Sequence, residues 1–153
     1  MIVSVPSALV ECLARLVFAT VLGAAIGVNR ELHQKPAGFR THAMVALGAA
    51  LMTIIALGLS KTPSSPDAEA VSRVVQGIIA GIGFVGGGAI LRRDTDSNVH
   101  GLTTATSIWV VAAVGMAVGI GMWAAAVIAV GLALIVLTLG ALIDRFLHRL
   151  RSF

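Results

Sequence analysis

Glycine crowding inside an uncharged run constrains this chain more than any other feature. From Arg73 to Leu91 the sequence RVVQGIIAGIGFVGGGAIL holds Gly77, Gly81, Gly83 and the triplet Gly86 to Gly88, with no charge after Arg73. In water each glycine would weaken a helix by roughly 1 kcal/mol against alanine. In lipid the backbone must bond to itself, so helix persists there, and small residues let neighbouring helices approach closely. After a short charged loop the chain re-enters an apolar segment headed by Thr103, Thr104, Thr106 and Ser107. The stretch from Arg73 to Ala113 reads as a membrane hairpin with polar groups facing inward. Its two helices, both rich in small residues, are expected to make the tightest contact of the bundle.

Composition supports the membrane reading. Hydrophobic residues make up 58% of the chain and mean hydropathy is +0.98. Charged residues are 12%, against about 25% in a soluble domain. A single domain over 1–153 is expected. The net charge of +4 is no nucleic-acid footprint, because the basic residues sit between apolar runs. The lone Cys12 excludes an intrachain disulfide and a cysteine metal cluster. No basic residue precedes Glu11, and the first apolar run continues to Val28, so a cleavable signal is not expected.

Crossing about 30 Å of hydrocarbon takes around 20 apolar residues. Spans are expected at 8–28, 41–59 and 72–91. From Leu102 to Ile143 there is no charge; as one helix this would run about 60 Å, twice what a bilayer needs. The chain must fold back, and the Gly115, Gly119, Gly121 cluster is the natural break, giving spans at 102–119 and 122–143. The fold class is an all-α membrane bundle of about five helices. Orientation follows charge bias. Arg30, Lys35, Arg40, Arg92, Arg93, Arg145, Arg149 and Arg151 fall on one side and Lys61 on the other. The N-terminus is therefore expected outside and the C-terminus in the cytoplasm.

The candidate intramembrane polar site comprises Glu11, Arg15, Arg73, Gln76, Thr103 and Thr104. Glu11 and Arg15 are four apart and share a helix face. Ionisable groups in lipid normally pair or face an interior, so these two form either a cation or proton site or an interfacial anchor. Arg73 has the same two readings. The hydroxyls of Thr103, Thr104, Thr106 and Ser107 either coordinate a solute or bond within and between helices. A cytoplasmic rim is expected from Asn29, Arg30, Glu31, Lys35, Arg40, Thr41 and His42 with Arg92, Arg93 and His100. Arg40 there is either a topological anchor or a fork holding helix-terminal carbonyls or a carboxylate. Helix packing is assigned to Gly77, Gly81, Gly86, Gly115 and Gly119.

Other patterns carry no chemistry. Gly81, Gly83 and Gly86 spell GxGxxG without the strand and βαβ unit that a dinucleotide site needs. Asp94, Asp96 and Asn98 resemble the start of a calcium loop, but Val99 and Ala105 replace its glycine and glutamate. His33, His42, His100 and His148 lack zinc spacing. No nucleophile–base pair and no GK[ST] loop are present, so neither an enzyme nor a cofactor or metal is expected. Trp109 and Trp123 read as packing or belt residues.

Three blocks resemble the MgtC/SapB family of bacterial inner-membrane proteins. GAAIGVNRELHQKPAGFRTHAMVALGAAL, Gly23 to Leu51, is similar to the family's G-x-x-I-G-x-E-R…P-A-G-L-R-T-H pattern. Arg73 with GIGFVGGGAIL and VHGLTTATSIWVVAAVGMAVGIG supply the other two. Asn29 stands where the family usually has Glu, and Gln76 lies one residue before the usual Gln position, now Gly77. By that resemblance the sequence matches the membrane part of longer members that also carry a C-terminal soluble domain, as either a short member or a membrane domain alone. The resemblance implies an inner-membrane protein linked to growth in low magnesium and to virulence. It further implies a regulator of other membrane proteins, the F-type ATP synthase among them. With the glycine faces and the absence of a catalytic constellation, the resemblance makes helix–helix contact with partner membrane proteins the leading expectation, through the Gly77/Gly81 or Gly115/Gly119 faces, or with copies of itself. The alternative is a cation (magnesium) or proton transporter, although no internal repeat supports it.

Overall fold

A computed structural model describes residues 7–58, 68–90 and 101–151, with the side chains of 68, 70, 144–149 and 151 excepted. Five helices account for nearly all of them: α1 (Ser7–Leu32), α2 (Phe39–Gly58), α3 (Ala68–Ile90), α4 (Leu102–Ile120) and α5 (Trp123–Arg151). All five contain a stretch long and apolar enough to cross a membrane. No strand occurs among the described residues. The helices overlie the expected segments, with α1 running one turn beyond its apolar run and α5 continuing past 143 to Arg151.

The helix ends follow from local chemistry. Gln34 closes α1 in the left-handed region at φ 53°. Its N–H bonds to the Glu31 carbonyl at 2.9 Å, and the Lys35 N–H bonds to the Arg30 carbonyl at 3.0 Å. This satisfies two orphan carbonyls in the Schellman manner, and Pro36 prevents continuation. Glu31 then reaches forward: its Oε2 accepts the Phe39 N–H at 2.9 Å, placing a carboxylate on the N-terminus of α2. Between α4 and α5 the break falls at Gly121, as the glycine cluster predicted, with φ 97° and its N–H on the Ala117 and Val118 carbonyls. The chain reverses there within two residues.

The bundle is apolar on its outer surface, and its core is also mainly apolar, with a few polar side chains buried in it. Leu9, Leu13, Val17 and Val21 of α1 and Ile128, Leu132, Ile135 and Val136 of α5 are exposed. The buried core joins Ala19 and Ile26 of α1, Ala46 and Ala50 of α2, Val111, Val114 and Val118 of α4, and Ala126 and Val130 of α5. Arg30, His42, Thr53, Thr104 and Ser107 are buried among them.

The closest helix contacts differ from the expected ones. The tightest packing joins α2 to α1 and to α4, rather than α3 to α4. A Cβ on Gly23 would lie 2.6 Å from the Ala46 Cβ, and one on Gly27 would lie 2.7 Å from the Phe39 Cα. On the other side of α2, a Cβ on Gly115 would overlap the Ala46 carbonyl, and one on Gly119 would meet Thr53 at 2.8 Å. Ala46 is thus held between two glycines from two helices. In α3, by contrast, Gly77, Gly81, Gly83, Gly87 and Gly88 have no neighbour within 4 Å of such a Cβ, and only Gly86 approaches α4, at 3.4 Å from Ala105. Glycine content promised close approach in α3, yet the alanines of α2 provide the surface on which glycines of its neighbours settle. The packing assigned to Gly115, Gly119 and Gly86 is internal to the bundle; Gly77 and Gly81 face outward.

Candidate functional site

The buried polar cluster lies at the end of the bundle where α1 finishes and α2 and α4 begin. Arg30 follows Gly23, Ile26 and Gly27 by seven, four and three residues, so it shares their inward face. Only 4% of Arg30 is exposed. Its Nη2 donates to Thr104 Oγ1 at 2.8 Å, in the first turn of α4, while its Nε is buried without a partner. No other hydrogen bond or ion pair reaches its side chain among the described residues. His42 of α2 is fully buried, with Nδ1 2.9 Å from the Gly38 carbonyl and Nε2 3.0 Å from Ser107 Oγ. Since Nδ1 faces a carbonyl, it carries the proton, and a neutral ring then leaves Nε2 to accept from Ser107. The Ser107 hydroxyl also lies 2.8 Å from the Thr104 carbonyl. Its one proton is therefore contested between the ring and that carbonyl. Three helices are pinned by these contacts, and the guanidinium has no carboxylate against it among the described residues.

The six residues of the expected intramembrane site are dispersed. Arg15 pairs with Glu11 and also donates to the Gly119 carbonyl at 2.5 Å, at the end of α4 opposite Thr104. Fifteen residues of helix separate these positions, about 22 Å at the α-helical rise. Arg73 pairs with Glu69 at 3.1 Å in an exposed i,i+4 bridge, and Gln76 donates to Ser72 at 3.1 Å, also exposed. Thr103 is exposed, its carbonyl accepting from Thr106 at 3.0 Å, whereas Thr104 is buried on Arg30. Glu11 with Arg15, and Thr104 with Arg30, are the sets that come together.

The rim divides likewise. Asn29 is half-buried and its carbonyl lies 2.7 Å from His33 Nδ1; Glu31 caps α2. Arg40 is exposed on an open groove with Lys35, Phe39 and Thr41 and holds no carbonyl or carboxylate among the described residues. A guanidinium directed at a neighbouring helix, one of the two readings of Arg40, is found at Arg30, because α1 carries its inward face one turn beyond Val28. That shared face was the available signal. Arg92, Arg93 and His100 lie outside the described residues. Among the described residues no group of three or more His, Cys, Asp or Glu side chains is placed to hold a metal.

Residues 16–146, which contain the whole cluster and the α3 glycine face, match the MgtC family. The chain belongs to the MgtC family. Within the MgtC family it is 43% identical to protein SrpB of Synechococcus elongatus over 115 residues, covering 71% of this chain and 63% of that protein. It is 39% identical to YhiD of Escherichia coli, a candidate magnesium transporter by name, over 74% of this chain and 53% of that protein. It is 42% identical to protein MgtC of Salmonella typhimurium over 69% of this chain and 42% of that protein. The chain thus spans less than two thirds of the length of these MgtC-family relatives. No solved structure matches it. Family and helices together make it a multi-pass membrane protein.

Proposed function

We propose that this MgtC-family chain is a non-enzymatic protein of the bacterial inner membrane, oriented with its C-terminus in the cytoplasm. It serves adaptation to low magnesium by helix contact with a partner membrane protein. The magnesium link rests on the names of its relatives, MgtC and the candidate magnesium transporter YhiD. One observation carries the contact reading. Gly77, Gly81, Phe84 and Gly88 follow one stripe of α3 at intervals of four, three and four residues. The three glycines have open space beside them, and Phe84 projects with 86% of its surface exposed. Gly77 and Gly81 form the small-xxx-small spacing through which membrane helices approach closely. The family resemblance names the F-type ATP synthase as one such partner. Gly115 and Gly119, the other face considered, are filled by α2 and offer a partner nothing.

Gly81→Leu tests the reading. It should abolish complementation of a low-magnesium growth defect while leaving the amount of protein in the membrane unchanged. Full complementation by Gly77→Leu, Gly81→Leu and Gly88→Leu alike would sink it. The transporter alternative is supported by the name of YhiD and predicts magnesium or proton flux into liposomes holding this protein alone; contact regulation predicts none.

A further inference from the structure

Among the described residues no carboxylate lies against the buried Arg30 side chain where it reaches the N-terminal turn of α4. Arg30 reaches the first turn of α4 through Thr104. That turn starts at Gly101, which adopts φ 94° and brings no side-chain cap to the helix. A helix N-terminus presents orphan N–H groups and the positive end of the macrodipole, and so draws anions. Here it faces a guanidinium that is nine-tenths buried and keeps an unpartnered Nε. A buried unpaired charge is among the costliest arrangements in a protein, and in a membrane such groups normally find a partner. Glu31, the nearest acid in sequence, is turned away onto the α2 N-terminus.

We propose that Arg30 and the start of α4 form a binding site for a phosphate group. Donors arriving from two helices suit a tetrahedral oxyanion, and arginine is the side chain best matched to phosphate. The neighbourhood supplies an approach. A groove of about 440 Å³ between α4 and α5 has Thr103, Thr106 and Ser107 at one end and apolar walls that include Val136 and Leu137. Thr104 and Arg30 do not themselves line it; its hydroxyl end adjoins them through Thr103 and Ser107, the neighbours of Thr104 on α4. A phospholipid would lay an acyl chain along those walls with its phosphate toward Arg30; free phosphate would enter without one.

Thermal unfolding of the full chain separates the outcomes, since a ligand of the folded state raises the midpoint saturably. Inorganic phosphate in detergent raising the midpoint identifies free phosphate as the source. A rise only in nanodiscs containing phosphatidylglycerol, against phosphatidylcholine alone, identifies the lipid. In either case Arg30→Lys should weaken the apparent affinity at least tenfold, and Arg40→Gln should leave it unchanged. Should the Arg30 variants fail to fold, Thr104→Val tests the same site and should weaken affinity severalfold. No saturable shift with either probe in the unmodified protein overturns the proposal, as does an equal shift from chloride. A shift seen only in the Asp94→Asn, Asp96→Asn double variant also overturns it, since the counter-charge would then lie within the chain.

Discussion

Arg15 joins the beginning of α1 to the end of α4 by donating to the Gly119 carbonyl while also pairing with Glu11. The two contacts differ in worth. Glu11 is 60% exposed, so its pairing is close to a surface salt bridge, about 0–1 kcal/mol. The bond to Gly119 comes from a largely buried charged donor, of the kind worth about 1.5–3 kcal/mol. Arg15→Gln should therefore lower the thermal midpoint in detergent clearly more than Glu11→Gln does. A double-mutant cycle between them should return a coupling below about 1 kcal/mol. Equal losses from the two single variants would mean that the pair, and not the carbonyl, holds α1 to α4.

Glycine substitutions should separate by helix. Gly115→Ala forces a Cβ against the Ala46 backbone, which cannot yield as a side-chain tip can. A loss of about 1–3 kcal/mol is expected, the usual cost of overpacking. Gly83→Ala meets open space and should be neutral or stabilising by up to about 1 kcal/mol. Unfolding midpoints of the two variants check the contrast.

The carboxylate of Glu31 caps α2. Glu31→Ala should cost about 0.5–2 kcal/mol, as lost caps do. Hydrogen exchange should show the loss as faster exchange of the Phe39 amide in particular. An unchanged rate there would deny Glu31 the capping role.

Arginine-to-lysine changes should distinguish Arg30 from Arg40. Lysine at 40 keeps an exposed charge on an open groove and should be silent in complementation. Lysine at 30 loses the fork that reaches Thr104 and should impair function at normal membrane levels. Tolerance at both sites would reduce Arg30 to a packing residue.

Orientation is testable without a partner. Cysteine introduced for Ser65, in the background Cys12→Ser, should react with an impermeant maleimide added outside intact spheroplasts, and cysteine for Lys35 should not. The opposite labelling pattern would invert the bundle.

The five helices and their breaks were legible because length, charge and glycine punctuation are properties of one segment at a time. The turn at Gly121 is an example: a long uncharged run had to reverse, and the cluster of Gly115, Gly119 and Gly121 was the natural break. Which helices pack together is a property of pairs, and there glycine counting misled. Gly77 and Gly81 allow close approach but do not compel it, whereas the small face of α2 receives glycines from both sides. The site was half legible. Arg30 was visible as a charge and was assigned to a loop, although its spacing from Gly23, Ile26 and Gly27 already placed it on the inward face. Nothing in the sequence alone tells that Thr104 and Ser107, rather than Thr103 and Thr106, would turn toward it.

The position of Ala46 between Gly23 and Gly115 sets an order on biogenesis. As the nascent chain leaves the translocon, α1 and α2 can zip together at once through Gly23 and Gly27. The other side of α2, and the α4 partners of Arg15 and Arg30, do not exist in the membrane until the fourth span has been made. During that interval Arg15 has only Glu11 of its own helix, and Arg30 lacks its acceptor on α4. A chain that ended after α3 would leave Arg15 without the Gly119 carbonyl and Arg30 without the Thr104 hydroxyl. The fourth helix closes both contacts at once, one at each of its ends.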